Sequence, residues 1–255
     1  MKLSNRTSFV RFLAALVSGV LGVATLAVMS PVSSSATEYA CGPFINGAHQ
    51  VSTASHLAAV SSGDANSPCA KDDDYVVTSD IDLSGAGDWT PLASADHPFS
   101  GSFDGGGFSI SGLTLDSTSA NLEDQGMFAV LASGGSLENV NLTEFSLDTE
   151  QVRENVGGLV GRATGGTISN SSTSGSISVP GDSQRIGGLV GTMLGVSITS
   201  SSSSVTVSSE GRYNGGLVGS AGRSTISNSS ASGAVGSGSF SGGLVGPVSI
   251  STTIT

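Results

Sequence analysis

The sequence predicts an all-β protein built as a parallel β-solenoid, and three observations support this. A Gly-Gly-Leu-Val-Gly string occurs four times in the second half of the chain, starting at Gly157, Gly187, Gly215 and Gly242, at spacings of 30, 28 and 27 residues. Apolar residues follow each string at fixed distances. Each unit holds short alternating or β-branched apolar runs between Gly and Ser, without helical periodicity. A unit this short buries its apolar face only by stacking on its neighbours, which makes a solenoid.

The four strings define one motif with the same five positions in each copy. The glycines suit corners that need positive φ, or places where another backbone comes too close for a Cβ atom. Neighbouring residues of a strand face opposite sides, so the sequence leaves open whether Leu or Val points inward. The motif residues are Gly157, Gly158, Leu159, Val160 and Gly161; Gly187, Gly188, Leu189, Val190 and Gly191; Gly215, Gly216, Leu217, Val218 and Gly219; and Gly242, Gly243, Leu244, Val245 and Gly246.

Three further positions keep the register of the motif. Counted from its first glycine, isoleucine lies eleven residues on, isoleucine or valine lies twenty residues on, and Asn or Ser lies thirteen residues on. Strands stacked at about 4.8 Å per coil would turn these positions into continuous ladders. The ladders are Ile168, Ile198 and Ile226; Ile177, Val207 and Val235; and Asn170, Ser200 and Asn228.

Diverged coils precede the perfect copies, so the solenoid is predicted to span residues 98–255. Residues 126–129, Gly-Met-Phe-Ala, resemble the motif, and residues 99–115 form a first coil whose larger apolar side chains would seal the end of the stack. The fourth copy starts at Gly242 and the sequence ends at Thr255, short of a full coil. Docking of a partner, self-association through this open coil and a longer parent protein all fit that pattern.

The first 36 residues are predicted to be a cleaved export signal. Basic residues precede an uncharged, mostly apolar run from Phe12 to Met29, and Ser34 and Ala36 suit a cleavage site before Thr37. An uncleaved membrane anchor is the alternative, because the run is just long enough to span a bilayer. The sequence after residue 37 holds no further membrane-spanning run. The mature protein is therefore expected to be secreted or attached to the cell surface.

Residues 37–97 are predicted to form a small N-terminal α/β cap. A short helix is predicted from Ser52 to Ala59, with Ser52 or Thr53 as its N-cap, and a strand from Tyr75 to Leu83. Two cysteines, Cys41 and Cys69, lie in this region. In an exported protein such a pair predicts a disulfide, which would stabilise the fold by roughly 3 to 4 kcal/mol in the chain-entropy model. Thiol catalysis is disfavoured, because a single lysine is the nearby basic group.

The charge of the chain is unevenly distributed. The sequence has 20 acidic and 9 basic residues. Loss of the export signal would leave 6 basic residues and a net charge of about −14, which disfavours a nucleic-acid partner. Residues 37–155 hold 18 of the acids, whereas beyond them two acids face four arginines. These arginines occupy unmatched offsets in the repeats, so no vertical basic stripe is predicted.

Residues 75–255 resemble proteins that carry the GLUG motif, which is found in bacterial surface and secreted proteins. The resemblance includes the four motif copies and the preceding strings DIDLSGAGDW, PFSGSFDGGGFSISGLTL and GMFAVLASGGSLENVNL. The family includes adhesin-like chains and non-catalytic parts of some immunoglobulin A-cleaving metallopeptidases. The resemblance implies a right-handed parallel β-helix of the pectate-lyase-like shape. It supplies no agreed catalytic residues, so none is assigned here.

The rival function is a polysaccharide lyase or glycoside hydrolase that acts from a groove on the β-helix. Such a site needs paired carboxylates, or a calcium ion with a basic residue, and Asp80, Asp82 and Asp104 are the candidate carboxylates. A metallopeptidase is disfavoured because the chain has no HExxH string. The histidines, His49, His56 and His97, lack metal-ligand spacing and are expected at solvated positions.

The sequence therefore predicts a non-catalytic scaffold without catalytic, cofactor-binding or metal-binding residues. Its repeats expose rows of short polar side chains, which suit hydrogen bonding to a glycan or to a surface protein. A flat Thr-rich face would also order water, as in ice-binding solenoids, but Thr167, Ser197 and Thr225 form a single imperfect column. Adhesion or ligand binding outside the cell is the predicted function.

Overall fold

The computed structural model describes residues 40–61, 68–115, 123–151, 153–249 and 251–255. The predicted export signal, residues 1–36, lies outside the described residues. Ala36–Thr255 form one compact unit. In the described part of the chain, no helix is long and apolar enough to cross a membrane.

Short β-strands make up nearly all regular structure in the described ranges. The single helix there is α1 (Ala54–Ala58). The strands before the first perfect motif copy are β1 (Phe44–Ile45), β2 (Ala48–Val51), β3 (Asp74–Val77), β4 (Ile81–Asp82), β5 (Asp88–Trp89), β6 (Ser102–Asp104), β7 (Ser109–Ser111), β8 (Thr114–Leu115), β9 (Glu123–Gln125), β10 (Phe128–Ala132), β11 (Ser136–Glu138) and β12 (Asn141–Asp148).

The strands of the perfect repeats follow the same order in each coil. They are β13 (Glu154–Gly157), β14 (Val160–Thr164), β15 (Thr167–Ser169), β16 (Ser172–Ser178), β17 (Gln184–Gly187), β18 (Val190–Leu194), β19 (Ser197–Thr199), β20 (Ser202–Ser203), β21 (Thr206–Ser208), β22 (Arg212–Gly215), β23 (Val218–Gly222), β24 (Thr225–Ser227), β25 (Ser230–Ala231) and β26 (Thr253–Ile254).

Successive coils place equivalent strands side by side in four sheets. Sheet 1 runs β1-β2-β3-β6-β11-β15-β19-β24-β26, and sheet 2 runs β10-β14-β18-β23. Sheet 3 runs β25-β20-β16-β12-β7-β4 with β5, β8 and β21 beside it, and sheet 4 runs β22-β17-β13-β9. Apart from the β1–β2 hairpin, the paired strands are parallel. The predicted parallel β-solenoid is therefore confirmed.

The core consists of the apolar ladders that the repeats predict. Ile168 pairs with Ile198 and Ile198 with Ile226, and the three side chains are at most 1% exposed. Ile177, Val207 and Val235 are likewise in register. Leu159 and Val160 are both fully buried, because the chain bends at Gly158 and Leu159 and the two residues are not successive positions of one strand. Each coil thus adds to one continuous apolar interior.

Two different devices turn the corners of a coil. Asn170, Ser200 and Asn228 take positive φ values of 49°, 49° and 50°, a conformation that Asn tolerates better than most residues. Gly157 and Gly187 are not in the left-handed region. A Cβ atom on Gly187 would lie 2.0 Å from the carbonyl oxygen of Val190, so close backbone approach is what requires glycine there.

The N-terminal region joins the same stack. Thr53 caps α1, because its hydroxyl accepts a hydrogen bond from the His56 amide at 3.1 Å. The single strand predicted from Tyr75 to Leu83 is wrong: β3 and β4 are separate, since the chain turns between them from sheet 1 to sheet 3. β3, from the predicted cap, pairs in parallel with β6, from the predicted solenoid, so the two segments share a sheet.

The N-terminal region is also fastened by a disulfide and by aromatic packing. Cys41 and Cys69 form the predicted disulfide, with their Cα atoms 5.9 Å apart. A chain of ring contacts runs from Tyr75 through Phe99 to Phe128, at centroid distances of 6.2 and 5.1 Å. The large side chains therefore concentrate at this end of the stack.

Candidate functional site

The three candidate catalytic carboxylates each accept a hydrogen bond from a backbone amide. Asp80 Oδ1 accepts a hydrogen bond from the Ser109 amide at 2.8 Å, and Asp82 Oδ1 accepts one from the Ser84 amide at 2.8 Å. Asp104 Oδ1 accepts hydrogen bonds from the Gly106 amide and the Asn139 side chain, at 2.8 and 2.9 Å. Asp82 and Asp104 thus fix local turns through the amide two residues on, whereas Asp80 links two neighbouring coils.

The electrostatics of Asp82 disfavour its use as a general acid. The hydrogen bond from the Ser84 amide stabilises the charged form of Asp82 and lowers its pKa, whereas a general acid needs a raised pKa. Asp82 lies in β4 of sheet 3 and Asp104 in β6 of sheet 1, so the two do not flank one strand. The structure thus places Asp82 and Asp104 in different sheets, and each of the three candidates accepts a backbone hydrogen bond.

The expectation that all three histidines are solvated is wrong for His49. It lies in β2 and is 2% exposed, because strand alternation turns its ring inward. Its Nδ1 lies 3.3 Å from the Gly42 carbonyl oxygen, its Nε2 lies 3.5 Å from Asp73 Oδ2, and its ring stacks on Tyr75 at 5.2 Å. Across the described ranges, no group of three His, Cys, Asp or Glu side chains is placed to hold a metal ion.

A cleft of about 600 Å³ lies between α1 and the β4–β5 turn, and no sequence motif predicted it. Asp82, Asp88 and Trp89 are among the residues that line it. The Trp89 side chain is 5% exposed, and its Nε1 donates a hydrogen bond to the Met127 carbonyl at 3.2 Å. The indole is therefore a packing element that offers no open face to a sugar ring.

The outer side of sheet 1 presents Ser and Thr side chains on successive repeats, and we call it the hydroxyl face. In β15, β19 and β24 the central isoleucine is buried and the residues on either side point outward. Register pairing aligns these residues in two columns along the solenoid. The hydroxyl face comprises Thr167, Ser197 and Thr225 in one column and Ser169, Thr199 and Ser227 in the other.

The outward hydroxyls of the hydroxyl face differ in their hydrogen bonding from the serine hydroxyls just inside it. Within the described ranges, none of the six has a hydrogen-bond partner in the protein. By contrast, the Ser201 hydroxyl donates to the Thr199 carbonyl at 2.9 Å and accepts from the Ser171 amide at 3.2 Å. The inner serines thus link neighbouring coils, and the outer hydroxyls stay available to a ligand. Only the first of these two columns was identified from the sequence, although the second also keeps a constant offset of twelve residues from the first motif glycine.

A further column lies two residues before the first glycine of each motif copy, on sheet 4, and we call it the minus-two column. All five members take positive φ, from 54° to 66°. Strand register places them on successive coils. The members are Asp124, Asn155, Arg185, Tyr213 and Phe240.

The first half of the minus-two column is a closed polar network. Arg162 binds Asp124 with both of its forked nitrogens, at 2.7 Å for Nη2 and 3.0 Å for Nε, which raises the pKa of the guanidinium. Asn155 donates to Asp124 Oδ1 at 2.9 Å and accepts from the Thr192 hydroxyl at 2.8 Å. These side chains satisfy one another and offer little to a ligand.

The second half of the column is an open cluster of aromatic and arginine side chains. The guanidinium carbon of Arg185 lies 5.9 Å from the Tyr213 ring centroid, and that of Arg212 lies 5.6 Å from it. The Tyr213 and Phe240 rings lie 5.7 Å apart, and Phe240 is 63% exposed. Arg185, Arg212, Tyr213 and Phe240 form what we call the aromatic–arginine cluster.

Comparison with known proteins supports the motif and the fold. Residues 153–178 match the family model of the GLUG motif. Halomucin from Haloquadratum walsbyi is 36% identical over 124 residues, which are 44% of this chain and 1% of Halomucin. A solved structure from Bacteroides ovatus, named as a "putative immunoglobulin A1 protease", superposes with a TM-score of 0.64 at 23% identity. That match covers 81% of this chain and 63% of the other, so the chain spans only part of either relative.

Proposed function

We propose that this chain, which matches the GLUG motif over residues 153–178 and folds as a parallel β-helix, is an exported, non-catalytic scaffold that binds a glycan or a surface protein outside the cell. The contact is proposed to lie along a lateral face of the repeats. The extracellular location of the protein, its adhesion to a ligand and its lack of catalysis are all part of this proposal.

One observation carries the proposal: the hydroxyl face has unengaged hydroxyls in two columns on rigid, register-locked strands. Each hydroxyl gives a modest hydrogen bond, but several bonds from a preformed surface add without a large ordering cost. The structural hydrogen bonds of Asp80, Asp82 and Asp104 support the same proposal, since each carboxylate already accepts a backbone amide.

The test is a glycan and surface-protein binding array, run on the exported chain beside a reducing-sugar release assay on the same polysaccharides. We expect retention of at least one ligand class without sugar release. The triple variant Thr167→Val, Ser197→Ala and Thr225→Val should weaken retention, because it removes one column of outward hydroxyls. The matched control is Ser176→Ala with Thr206→Val, which removes exposed hydroxyls from sheet 3 instead.

Two results would contradict the proposal. Absence of binding to every glycan and protein on the array would remove the scaffold function. Release of sugar that disappears in Asp80→Asn, Asp82→Asn or Asp104→Asn would favour the lyase or hydrolase alternative. A loss of binding that is equal in the triple variant and its control would move the contact away from the hydroxyl face.

A further inference from the structure

We propose that the aromatic–arginine cluster is a binding site for the uronate units of an acidic polysaccharide. This inference rests on the proposed function, because it names a ligand class for a scaffold that binds without turnover. It adds a second contact surface, on sheet 4, to the hydroxyl face of sheet 1.

The backbone gives the first argument. Every member of the minus-two column takes positive φ, yet the residue type changes along it from Asp and Asn to Arg, Tyr and Phe. Asp and Asn tolerate this conformation, whereas for bulky residues it is unfavourable. If these positions had a structural role alone, Asn in each coil would give a lower conformational energy. The three large side chains therefore point to a role outside the backbone.

Charge gives the second argument. Arg162 and Arg185 have carboxylate partners, Asp124 and Glu154. Arg212 makes no ion pair in the described part of the chain, and its guanidinium lies against the Tyr213 ring, which orients it. A guanidinium held in this way presents a fork of donors that matches a carboxylate.

The surroundings of the cluster favour an anionic ligand as well. Residues 156–255 hold four arginines against Asp182 and Glu210, while the acids of the chain lie mainly before them. An anion approaching the protein would therefore be steered away from the N-terminal region and toward the repeats. The sequence did not predict this grouping of arginines, because Arg185 and Arg212 occupy different offsets in adjacent coils. Both side chains nevertheless contact the Tyr213 ring.

The aromatic rings favour a sugar over a peptide. A pyranose ring has an apolar C–H face that can lie on Phe240, which is 63% exposed, while its carboxylate meets Arg212. A peptide strand would gain most from unpaired backbone groups at a sheet edge. On sheet 4 the backbone groups of β17 and β22 pair with neighbouring coils, so the lateral surface offers side chains alone.

The experiment measures binding of the exported chain to polygalacturonate, alginate and hyaluronan by isothermal titration calorimetry. Fully methyl-esterified pectin is the matched neutral polymer, and poly-glutamate is the acidic peptide probe. We expect binding to at least one uronate polymer, weaker binding as salt rises, and no comparable binding to esterified pectin or poly-glutamate.

Three variants locate the site. Arg212→Gln should weaken uronate binding about tenfold, because it removes a charge-assisted pair, and Phe240→Ala should weaken it about threefold to tenfold through lost stacking. Arg223→Gln is the matched control, since Arg223 is also an exposed arginine with positive φ, at 51°, but lies outside the cluster. It should bind like the wild type. Circular dichroism verifies that each variant keeps the wild-type fold.

The remaining outcomes separate this inference from the proposed function. Binding of some array ligand without binding of any uronate polymer would overturn the inference and leave the scaffold function standing. Equal losses in Arg212→Gln and Arg223→Gln would also overturn it, as would stronger binding of poly-glutamate. Failure to bind any array ligand or polymer would overturn both.

Discussion

The N-terminal region, residues 40–115, and the perfect repeats, from Gly157 onward, build the same parallel stack from different materials. The first uses a disulfide, a helix and large aromatic side chains, including Tyr75, Phe99 and Phe103, all at most 1% exposed. The second uses aliphatic ladders, motif glycines and serines that bond from coil to coil. Irregular coils need bulky side chains and a covalent link to fill unequal space, whereas regular coils obtain their stability from identical neighbours.

The comparison also bears on where ligands bind. In the N-terminal region the polar side chains are mainly engaged in turns or packing, as Asp104 and His49 illustrate. In the repeats the structural roles fall on glycine, isoleucine and inner serine, which leaves the outward positions free to vary. The minus-two column shows this directly, because it changes from a closed polar network to the open aromatic–arginine cluster along the stack.

The largest expected effect tests the aromatic packing between the N-terminal region and the coil that follows it. Phe128→Ala should lower the free energy of unfolding by about 3 to 5 kcal/mol, since it empties a buried site that contacts Phe99 and Phe103. Urea denaturation measures the change. Phe240→Ala is the matched control and should stay within about 0.5 kcal/mol, because that ring is 63% exposed. If Phe128→Ala lowered the free energy of unfolding as little as Phe240→Ala does, the Phe128 ring would not be a core element.

The disulfide should stabilise the N-terminal region more than the repeats. The double variant Cys41→Ser and Cys69→Ser should lower the free energy of unfolding by roughly 3 to 4 kcal/mol, as expected for a loop with a sequence separation of 28. Hydrogen exchange should show lost protection in β2 and β3 first, with β18 and β23 still protected. Intact mass before and after reduction checks that the bond exists in the natively produced protein.

A uniform loss of protection along the chain would change the comparison. It would mean that the two regions unfold as one cooperative unit, despite their different construction. Two free thiols on the natively exported protein would remove the covalent link from the comparison altogether.

Motif glycines test the repeat side of the comparison. A Cβ atom on Gly188 would lie 2.3 Å from the Gly216 carbonyl oxygen, whereas one on Gly243, the same position in the fourth copy, meets nothing within 4 Å. Gly188→Ala should therefore lower the free energy of unfolding by about 2 to 3 kcal/mol, and Gly243→Ala by no more than about 0.5 kcal/mol. Equal effects in urea denaturation would show that the glycine requirement comes from the motif sequence and not from the neighbouring coil.

Sequence alone predicted the parts of the fold that depend on periodicity. Equivalent offsets from Gly157, Gly187 and Gly215 become equivalent rungs, so the isoleucine ladder, the Asn/Ser column and the parallel architecture followed from counting. The pairing of Cys41 with Cys69 followed from the export context. What these have in common is that each depends on chain positions, without any knowledge of side-chain direction.

The features that sequence missed depend on side-chain direction or on mixed offsets. Leu159 and Val160 both point inward, because a bend at the glycine pair interrupts the alternation that a regular strand would impose. His49 points inward because side chains alternate along β2, and no strand was predicted from the sequence at this position. In the aromatic–arginine cluster, Arg185 is the strand-register partner of Tyr213, and Arg212 is its neighbour in the chain. Since the two arginines have different offsets in the repeat, no single offset predicts the cluster.

The smallest expected effect separates inner from outer serines within one coil. Ser201 is 2% exposed, and its hydroxyl donates to the Thr199 carbonyl and accepts from the Ser171 amide. Ser201→Ala leaves that buried amide without its acceptor and should lower the free energy of unfolding by about 1 to 2 kcal/mol. Ser197→Ala removes an outward hydroxyl that has no partner in the described part of the chain, and should change it by less than about 0.5 kcal/mol. Urea denaturation of both variants measures the difference.

If the two losses are equal, the inner serines do not fasten the coils, and the stability of the repeats comes from their apolar ladders alone. If Ser197→Ala is the costlier change, the hydroxyl face is a structural surface, and the ligand contact has to lie on sheet 4.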